Sequence, residues 1–183
     1  MPRPSFVVVI VEDERQKMLV YRYLRKNGLS PRQIRPMTSP SGHGSAEQWV
    51  RSTYSDEVKA HRIRCAGATA ALIVMIDADA HSVQGRLAHL GQVLAESGIR
   101  PIDNNEQVVQ LVPKRNVETW ILCLNEQAVD EAIDYKGRRD DWNKMIPQAS
   151  VTLFQWTRPN TVLPNHCIDS LRRGVSELNR LAL

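Results

Sequence analysis

The sequence predicts an α/β fold in which a mostly parallel sheet is flanked by helices. Two apolar runs carry this prediction: Phe6 to Val11 and Ala70 to Ile76 are rich in valine and isoleucine, and each ends at carboxylates. Uninterrupted apolar runs of this length are typical of strands that are buried on both faces of a parallel sheet. An amphipathic helical pattern follows each run, so strands and helices alternate along the chain.

The first 64 residues contain two strand signals and two helix signals. The helix after the first strand interleaves apolar and basic residues and ends at Asn27-Gly28, a common helix stop. A loop from Thr38 to Ser45 is rich in small and polar residues, and it either presents backbone N–H groups to a phosphate or is a plain connector. The predicted elements are a strand over 6–11, a helix over 14–27, a short strand over 33–37 and a helix over 46–64.

The rest of the chain continues this alternation and then becomes helical. Taken together, the elements predict a Rossmann-like domain over residues 1–124 and a helical C-terminal extension, 125–183, packed on the same domain. The predicted elements are a strand over 70–76, a helix over 82–97, a strand over 106–112, a helix from about 116, a polar helical segment over 126–137, a short helix over 140–146, a loop over 150–165 and a closing helix over 167–181.

Composition excludes several classes of protein. The 183 residues have a net charge of +4, and eleven basic residues against three acidic ones lie between Arg15 and Arg64. Such a basic region fits a polyanionic partner. The three cysteines are far apart and form no Cys-x-x-Cys pair, which predicts reduced thiols in a cytoplasmic protein. No secretory signal is visible, and no apolar run is long enough to span a bilayer, so we expect no membrane association.

Acidic residues follow the two buried strands. Glu12 comes directly after the first, and Asp77 and Asp79 come after the strand over 70–76. If these strands are parallel neighbours, the three carboxylates meet at one edge of the sheet, where ligands of open α/β sheets bind. Oxygen-only ligation favours Mg²⁺ or Mn²⁺. The alternative is that Asp79, like Asp13, caps the helix that follows it.

Further polar residues are predicted at the same edge. Lys114, Arg115 and Glu118 follow the strand over 106–112. Lys114 or Arg115 is a candidate catalytic residue, since a cation can offset charge that builds up on a phosphate. The candidate contacts to nucleic acid are His43, Arg51, Arg115 and Lys136.

This pattern resembles the TOPRIM superfamily, whose hallmark is a Glu after the first strand and an Asp-x-Asp after a later one. Glu12, Asp77 and Asp79 match that hallmark, and the resemblance covers about residues 6 to 120. It implies a nuclease that hydrolyses phosphodiester bonds with two metal ions, with Asp77 as the natural bridge between them. Asp13 stands where the topoisomerase and primase branches usually have Gly, so the nucleases of the OLD type look closer. By that resemblance, Glu118 with Lys114 or Lys136 completes the site.

The resemblance also suggests a partner, because OLD-type catalytic domains often work with an ABC-type ATPase in defence against phage or mobile DNA. Two other functions remain open. A response-regulator receiver domain also begins with an acidic pocket like that of Glu12, although Asp77 lies farther along the chain than the phospho-accepting residue of that family. A non-catalytic TOPRIM-fold regulatory subunit is the second alternative. The sequence does not distinguish DNA from RNA.

Overall fold

The computed structural model describes residues 2–40 and 45–183, and within them the α/β prediction is confirmed. Strands and helices alternate as far as the fourth helix, and two more helices follow. The strands are β1 (Phe6–Val11), β2 (Ile34–Thr38), β3 (Ala70–Met75) and β4 (Val108–Leu111). The helices are α1 (Glu14–Lys26), α2 (Ala46–Arg64), α3 (Val83–Glu96), α4 (Val117–Leu124), α5 (Trp142–Trp156) and α6 (Asp169–Leu178).

The four strands form one parallel sheet in the order β2-β1-β3-β4. In this register Val7 of β1 lies between Ile34 of β2 and Ala71 of β3. The chain leaves β1 towards β2 on one side, and β3 then lies on the other side. The gap between the carboxyl ends of β1 and β3 is therefore the topological switch point of the sheet.

The core lies on both faces of this sheet. Successive side chains of a strand point to opposite faces, so Val7, Val9 and Val11 pack with α1, α4, α5 and α6, whereas Val8 and Ile10 pack with α2 and α3. Both faces of β1 and β3 are buried. This explains why their sequences are uninterrupted apolar runs, as expected for a parallel sheet that is covered by helices.

Side chains and a proline occupy the two edges of the sheet. In β2, Pro36 stands opposite Val9 and has no backbone N–H to offer a further strand. In β4, Arg173 Nη1 donates to the carbonyl oxygen of Gln110 over 2.8 Å, and the N–H of Gln110 points to Glu177 Oε2 at 3.5 Å. Both of these side chains come from α6, which lies along the outer edge of β4.

The start and the end of α1 are fixed by local contacts. Asp13 Oδ1 accepts a hydrogen bond from the N–H of Gln16 over 2.9 Å, which is a typical N-cap. At the other end Gly28 has a φ of +83°, a conformation that favours glycine. The cap holds the first turn of α1 at the carboxyl end of β1.

The C-terminal part of the chain corrects two predictions. The helix expected over 140–146 continues to Trp156, and the loop expected from Ser150 begins only after it. The reason is a buried stripe of Ile146, Ala149 and Leu153, which packs in the same core as α1. The prediction gave too much weight to Trp156 and to the prolines that follow it.

The polar helical segment expected over 126–137 is also wrong, because these residues form turns. Asp130 Oδ1 accepts from the N–H of Ala132, and Asp134 Oδ1 accepts from the N–H of Lys136, each over 2.8 Å. Aspartate side chains that bind nearby backbone groups in this way compete with helix formation. None of the helices in the described ranges is both long and apolar enough to cross a membrane.

Candidate functional site

Glu12 and Asp77 are brought together at the switch point. The backbone N–H of Asp77 donates to Glu12 Oε1 over 2.6 Å. Glu12 directly follows β1, and Asp77 lies two residues after the end of β3. The two strands pair in register with Val11 opposite Met75, and this pairing places Glu12 and Asp77 side by side. The expectation that the two buried strands are parallel neighbours is therefore confirmed.

Gln16 joins both of these strand ends, a role that no pattern in the sequence predicted. Its Nε2 donates to Asp77 Oδ1 over 2.9 Å, and its Oε1 accepts from the N–H of Glu12 over 2.9 Å. The residue is fully buried in the first turn of α1. Its only sequence signal is a polar residue four positions after Glu12, on the helix face that also carries Leu19, Val20 and Tyr23 towards the core.

Glu12 and Asp77 lie among carboxylates with an excess of negative charge, and the pKa values of both are raised. Burial raises the pKa of Glu12 to about 7; the N–H of Asp77 opposes this rise and the charge of Asp79 adds to it. Burial also raises the pKa of Asp77 well above its ordinary value, and the nearby carboxylates of Glu12, Asp13 and Glu118 raise it further. A cation at this edge would relieve the repulsion.

Asp79 lies beside this pair but is oriented towards solvent. Its side chain is 51% exposed, and its Oδ2 lies 3.7 Å from Nη2 of the buried Arg86. The residue has a φ of +52°, which is uncommon for a residue other than glycine. Its carbonyl oxygen accepts a hydrogen bond from Arg115 Nη1 over 3.2 Å. The cap of α3 is Ser82 and not Asp79, since Ser82 Oγ accepts from the N–H of Gly85.

Glu118 lies beneath the edge, at the start of α4. It is 1% exposed, and its Oε1 forms an ion pair with Arg15. Among the residues that the structure describes, its Oε2 has no hydrogen-bond partner. The guanidinium of Arg15 also lies over the ring of Trp142, 5.0 Å from its centroid. Glu118 therefore contributes charge to the carboxylate cluster, and Arg15 compensates part of it.

Two of the predicted cations, Lys114 and Lys136, lie near the carboxylate edge. Lys114 Nζ donates to the carbonyl oxygen of His81 over 2.7 Å, in the loop that follows Asp79. The pKa of Lys136 is raised above its ordinary value. Burial alone would lower this pKa, but the nearby carboxylates raise it by more, and Asp77 has the largest effect among them. Lys136 is thus electrostatically coupled to the carboxylate edge.

The other two predicted contacts to nucleic acid have different outcomes. Arg51 lies on α2 with its Nε 2.9 Å from Glu47 Oε1, although the angle does not give a hydrogen bond. Glu47 also pairs with Arg86. Arg51 and Arg86 therefore share the one carboxylate of Glu47, which compensates the charge of Arg51 only in part. His43 lies outside the described residues.

The donors at this edge fit Mg²⁺ or Mn²⁺ in chemistry, because all are carboxylate oxygens. Within residues 2–40 and 45–183, no three His, Cys, Asp or Glu side chains are arranged to hold one ion. Mg²⁺ usually keeps several waters and is held by one or two carboxylates. The arrangement of Glu12 and Asp77 fits such a site and does not form a cage made entirely of protein ligands.

Comparison with known proteins adds no relative to this description. The chain matches no protein-family model, no curated protein and no solved structure. A function can therefore be argued from the fold, from the half-buried Glu12 and the buried Asp77 at the switch point, and from the charges around them.

Proposed function

We propose that this chain is a Mg²⁺- or Mn²⁺-dependent nuclease that hydrolyses phosphodiester bonds at the carboxyl edge of its sheet. The observation that carries the proposal is the meeting of Glu12 and Asp77 at the switch point between β1 and β3. Open α/β sheets bind their ligands there. A half-buried and a buried carboxylate that repel each other at this place are poorly explained by packing and well explained by a cation.

The TOPRIM resemblance supports the same proposal. The hallmark residues Glu12 and Asp77 follow adjacent parallel strands, and Asp79 stands two positions beyond Asp77 at the same edge. Our proposal includes membership of that superfamily, with a pattern most similar to that of the OLD-type nucleases. An ABC-type ATPase partner in defence against phage or mobile DNA belongs to the proposal through the resemblance alone.

The residues divide the work of the proposed site. When bound, two divalent ions would lower the pKa of the attacking water and stabilise the leaving oxygen. Glu12 and Asp77 would hold these ions, and Gln16 fixes the Asp77 carboxylate by donating to its Oδ1. Asp79 is the exposed carboxylate on the substrate side. Lys114, Arg115 and Lys136 place positive charge around the same edge and attract the phosphate.

A second candidate function is phosphate acceptance by Asp77, as in a receiver domain. The strand order β2-β1-β3-β4 favours it, because doubly wound folds with this order include response regulators. Two observations disfavour it. Asp77 is only 1% exposed, and its Oδ1 is already hydrogen-bonded to Gln16. A residue that attacks a phosphodonor must be accessible, so the nuclease is the better-supported function.

The test is cleavage of labelled single- and double-stranded DNA and RNA with Mg²⁺, with Mn²⁺ or with EDTA. Asp77→Asn keeps the shape of the side chain and an oxygen that can accept from Gln16, but it removes the charge. Asp56→Asn is the matched control, since Asp56 is exposed on α2 and is remote from the strand ends. Metal-dependent cleavage that Asp77→Asn loses and Asp56→Asn keeps supports the nuclease.

Two other outcomes overturn this proposal. If neither the parent protein nor the variants cleave while Mg²⁺ still binds, the non-catalytic regulatory subunit replaces it. If a small phosphodonor such as acetyl phosphate labels the parent protein and not Asp77→Asn, the receiver function replaces it.

A further inference from the structure

A groove runs between α1 and α5, on the face of the sheet opposite α2 and α3. It encloses a cavity of about 540 Å³. Met18 and Tyr21 of α1 and Pro147 and Val151 of α5 give it an apolar floor, and Arg22, Arg25 and Lys26 give it a basic rim. We call this cavity the α1–α5 groove. It is separate from the carboxylate edge, since none of its lining residues is one of the proposed ligands.

The rim of the α1–α5 groove carries uncompensated positive charge. No acidic residue in the described part of the chain lines it, and α5 contains no Asp or Glu. The one acid of α1, Glu14, pairs with Lys17 near the start of the helix. In the described ranges, no carboxylate lies within ion-pair distance of Arg22, Arg25 or Lys26.

On the face of the sheet that α2 covers, most cations have acidic partners. The basic region between residues 15 and 64 is continuous in sequence, but the fold divides it between the two faces of the sheet. On α2, three of the arginines have acidic partners. These pairs are Arg51 with Glu47, Arg62 with Glu106, and Arg64 with Glu57. In the described ranges, α1 therefore carries three cations without an acidic partner, Arg22, Arg25 and Lys26, whereas α2 carries one, Lys59.

The position of the α1–α5 groove relates it to the carboxylate edge. α1 starts at its cap, Asp13, beside Glu12 and Asp77. With a rise of about 1.5 Å per residue, Arg22 lies about 14 Å and Lys26 about 20 Å along the helix from that cap. The rim of the groove and the carboxylate edge are therefore related by one helix, about 14 to 20 Å apart along its axis.

We infer that the α1–α5 groove binds single-stranded nucleic acid, with Arg22 and Lys26 neutralising phosphates and Tyr21 offering its ring to an unpaired base. Grooves that bind single strands combine basic residues with aromatic side chains on which bases stack. Its volume is that of a small-molecule site, which favours an unpaired nucleotide over a duplex. The direction of the strand towards the site rests on the proposed function, whereas the binding itself does not require cleavage.

The binding test uses a fluorescein-labelled oligothymidylate of about 20 nucleotides, longer than the roughly 4–16 nucleotides that a single OB fold covers. Fluorescence anisotropy is measured in EDTA over a range of salt concentrations, so that no cleavage occurs. The test variant is Arg22→Gln with Lys26→Gln; Arg25 is kept because its Nη1 donates to the carbonyl oxygen of Leu29. Losing two phosphate contacts reduces the slope of log Kobs against log salt by about 1.4.

The matched control is Arg35→Gln with Lys59→Gln, which changes the net charge by the same amount. Both side chains are exposed, and both lie on the other face: Arg35 is in register with Val8, and Lys59 is on α2. The expected result is a salt slope that equals that of the parent protein. If the control pair weakens binding as much as the test pair does, net charge and not the groove governs binding, and the inference is wrong.

The role of Tyr21 is tested with two substitutions. Tyr21→Ala removes the stacking face and is expected to weaken binding about tenfold, whereas Tyr21→Phe keeps the face and binds like the parent protein. Thermal unfolding of each variant shows whether the fold is retained; if Tyr21→Ala unfolds, Tyr21→Leu, which fills the site without an aromatic ring, takes its place. Equal binding by all the folded variants overturns the stacking role.

Competition with unlabelled double-stranded DNA tests the preference for single strands. We expect the duplex to compete less well than the single strand, and stronger competition by the duplex overturns the inference. The result is independent of the nuclease proposal. Binding through the groove without any metal-dependent cleavage overturns the proposed function alone, and cleavage that is unaffected by the groove variants overturns the direction of the strand.

Discussion

The side-chain amide of Gln16 lies 2.9 Å from Asp77 Oδ1 and connects the first turn of α1 to the end of β3. The other end of the same amide accepts from the N–H of Glu12. One buried side chain thus satisfies a carboxylate and a backbone donor that would otherwise have no partner. Glutamine suits this position because its amide both donates and accepts.

Replacing Gln16 with alanine is expected to lower the free energy of unfolding by about 2 kcal/mol, since a buried backbone N–H and a buried carboxylate each lose a partner. Urea unfolding at neutral pH measures the change. Gln148→Ala is the control, because Gln148 is exposed on α5, and it is expected to leave the midpoint nearly unchanged. Equal shifts for the two variants would show that the Gln16 hydrogen bonds do not stabilise the fold.

Mg²⁺ is expected to raise the unfolding temperature of the parent protein and to leave that of Asp77→Asn unchanged. The cation compensates the carboxylates that raise the pKa of Asp77 above its ordinary value, and binding to the folded state alone stabilises it. In EDTA the variant is expected to be the more stable of the two, because one of the repelling charges is gone. Differential scanning calorimetry with Mg²⁺ and with EDTA gives all four values. A parent protein that does not respond to Mg²⁺ or Mn²⁺ contradicts the metal site.

Gly174→Ala is expected to destabilise the protein by about 1–3 kcal/mol, the usual cost of overpacking a core. A Cβ at Gly174 would lie 2.9 Å from Trp120 Cζ3 and closer still to Cη2. The indole is fully buried, and its Nε1 donates to Ser170 Oγ over 2.7 Å, so the ring has little freedom to move away. Chemical unfolding measures the effect.

The control for this substitution is Gly91→Ala on α3, where a Cβ would meet nothing within 4 Å. Alanine costs less conformational entropy than glycine in a helix, so this variant is expected to gain about 0.5–1 kcal/mol. Opposite signs for the two variants isolate the contact with Trp120. A gain at both positions would mean that α6 moves easily away from α4.

Glu106 makes the stability of the protein sensitive to acid. Arg62 donates to both carboxylate oxygens, over 2.9 and 3.0 Å. Burial alone raises the pKa of Glu106, but the Arg62 hydrogen bonds, the N–H of Asp103 and the charge of Arg100 outweigh it and lower the pKa below its ordinary value of 4.5. The ion pair therefore stabilises the fold at pH values above 4.5, and this contribution is lost as the pH falls through the lowered, folded-state pKa.

Glu106→Gln is accordingly expected to be less stable than the parent protein at neutral pH, with a difference that shrinks between about pH 5 and about pH 3. Urea unfolding across this range gives the result. Glu96→Gln, on the exposed side of α3, is expected to show little dependence on pH relative to the parent. A difference at Glu106 that stays constant with pH would assign the loss to packing instead of charge.

The sequence predicted the strands and most of the helices because each signal was local. β1 and β3 are buried on both faces, and their apolar runs carry this information directly. The same runs predicted that Glu12 and Asp77 meet, since parallel neighbours end at the same edge. The roles of these residues and of the metal remain proposals.

The features of the structure that the sequence did not predict depend on tertiary contacts. Gln16 has no local signal for its role, because the residue that it binds is 61 positions away. The same is true of Arg15, which pairs with Glu118 across 103 positions, and of Arg86, which pairs with Glu47 across 39. In α5 the helix extends beyond its predicted end because it packs against α1, and the chain between α4 and α5 forms turns because Asp130 and Asp134 bind their own backbone.

Neither edge of the sheet offers a free row of backbone groups to another chain. Pro36 interrupts the donors of β2, and the side chains of Arg173 and Glu177 occupy the carbonyl oxygen and the N–H of Gln110 in β4. An exposed edge strand is the usual starting point for aggregation and for domain swapping. Growth of this sheet into a dimer or a fibril is therefore opposed at both ends, and contacts with other molecules are directed to the helices and to the carboxyl ends of the strands.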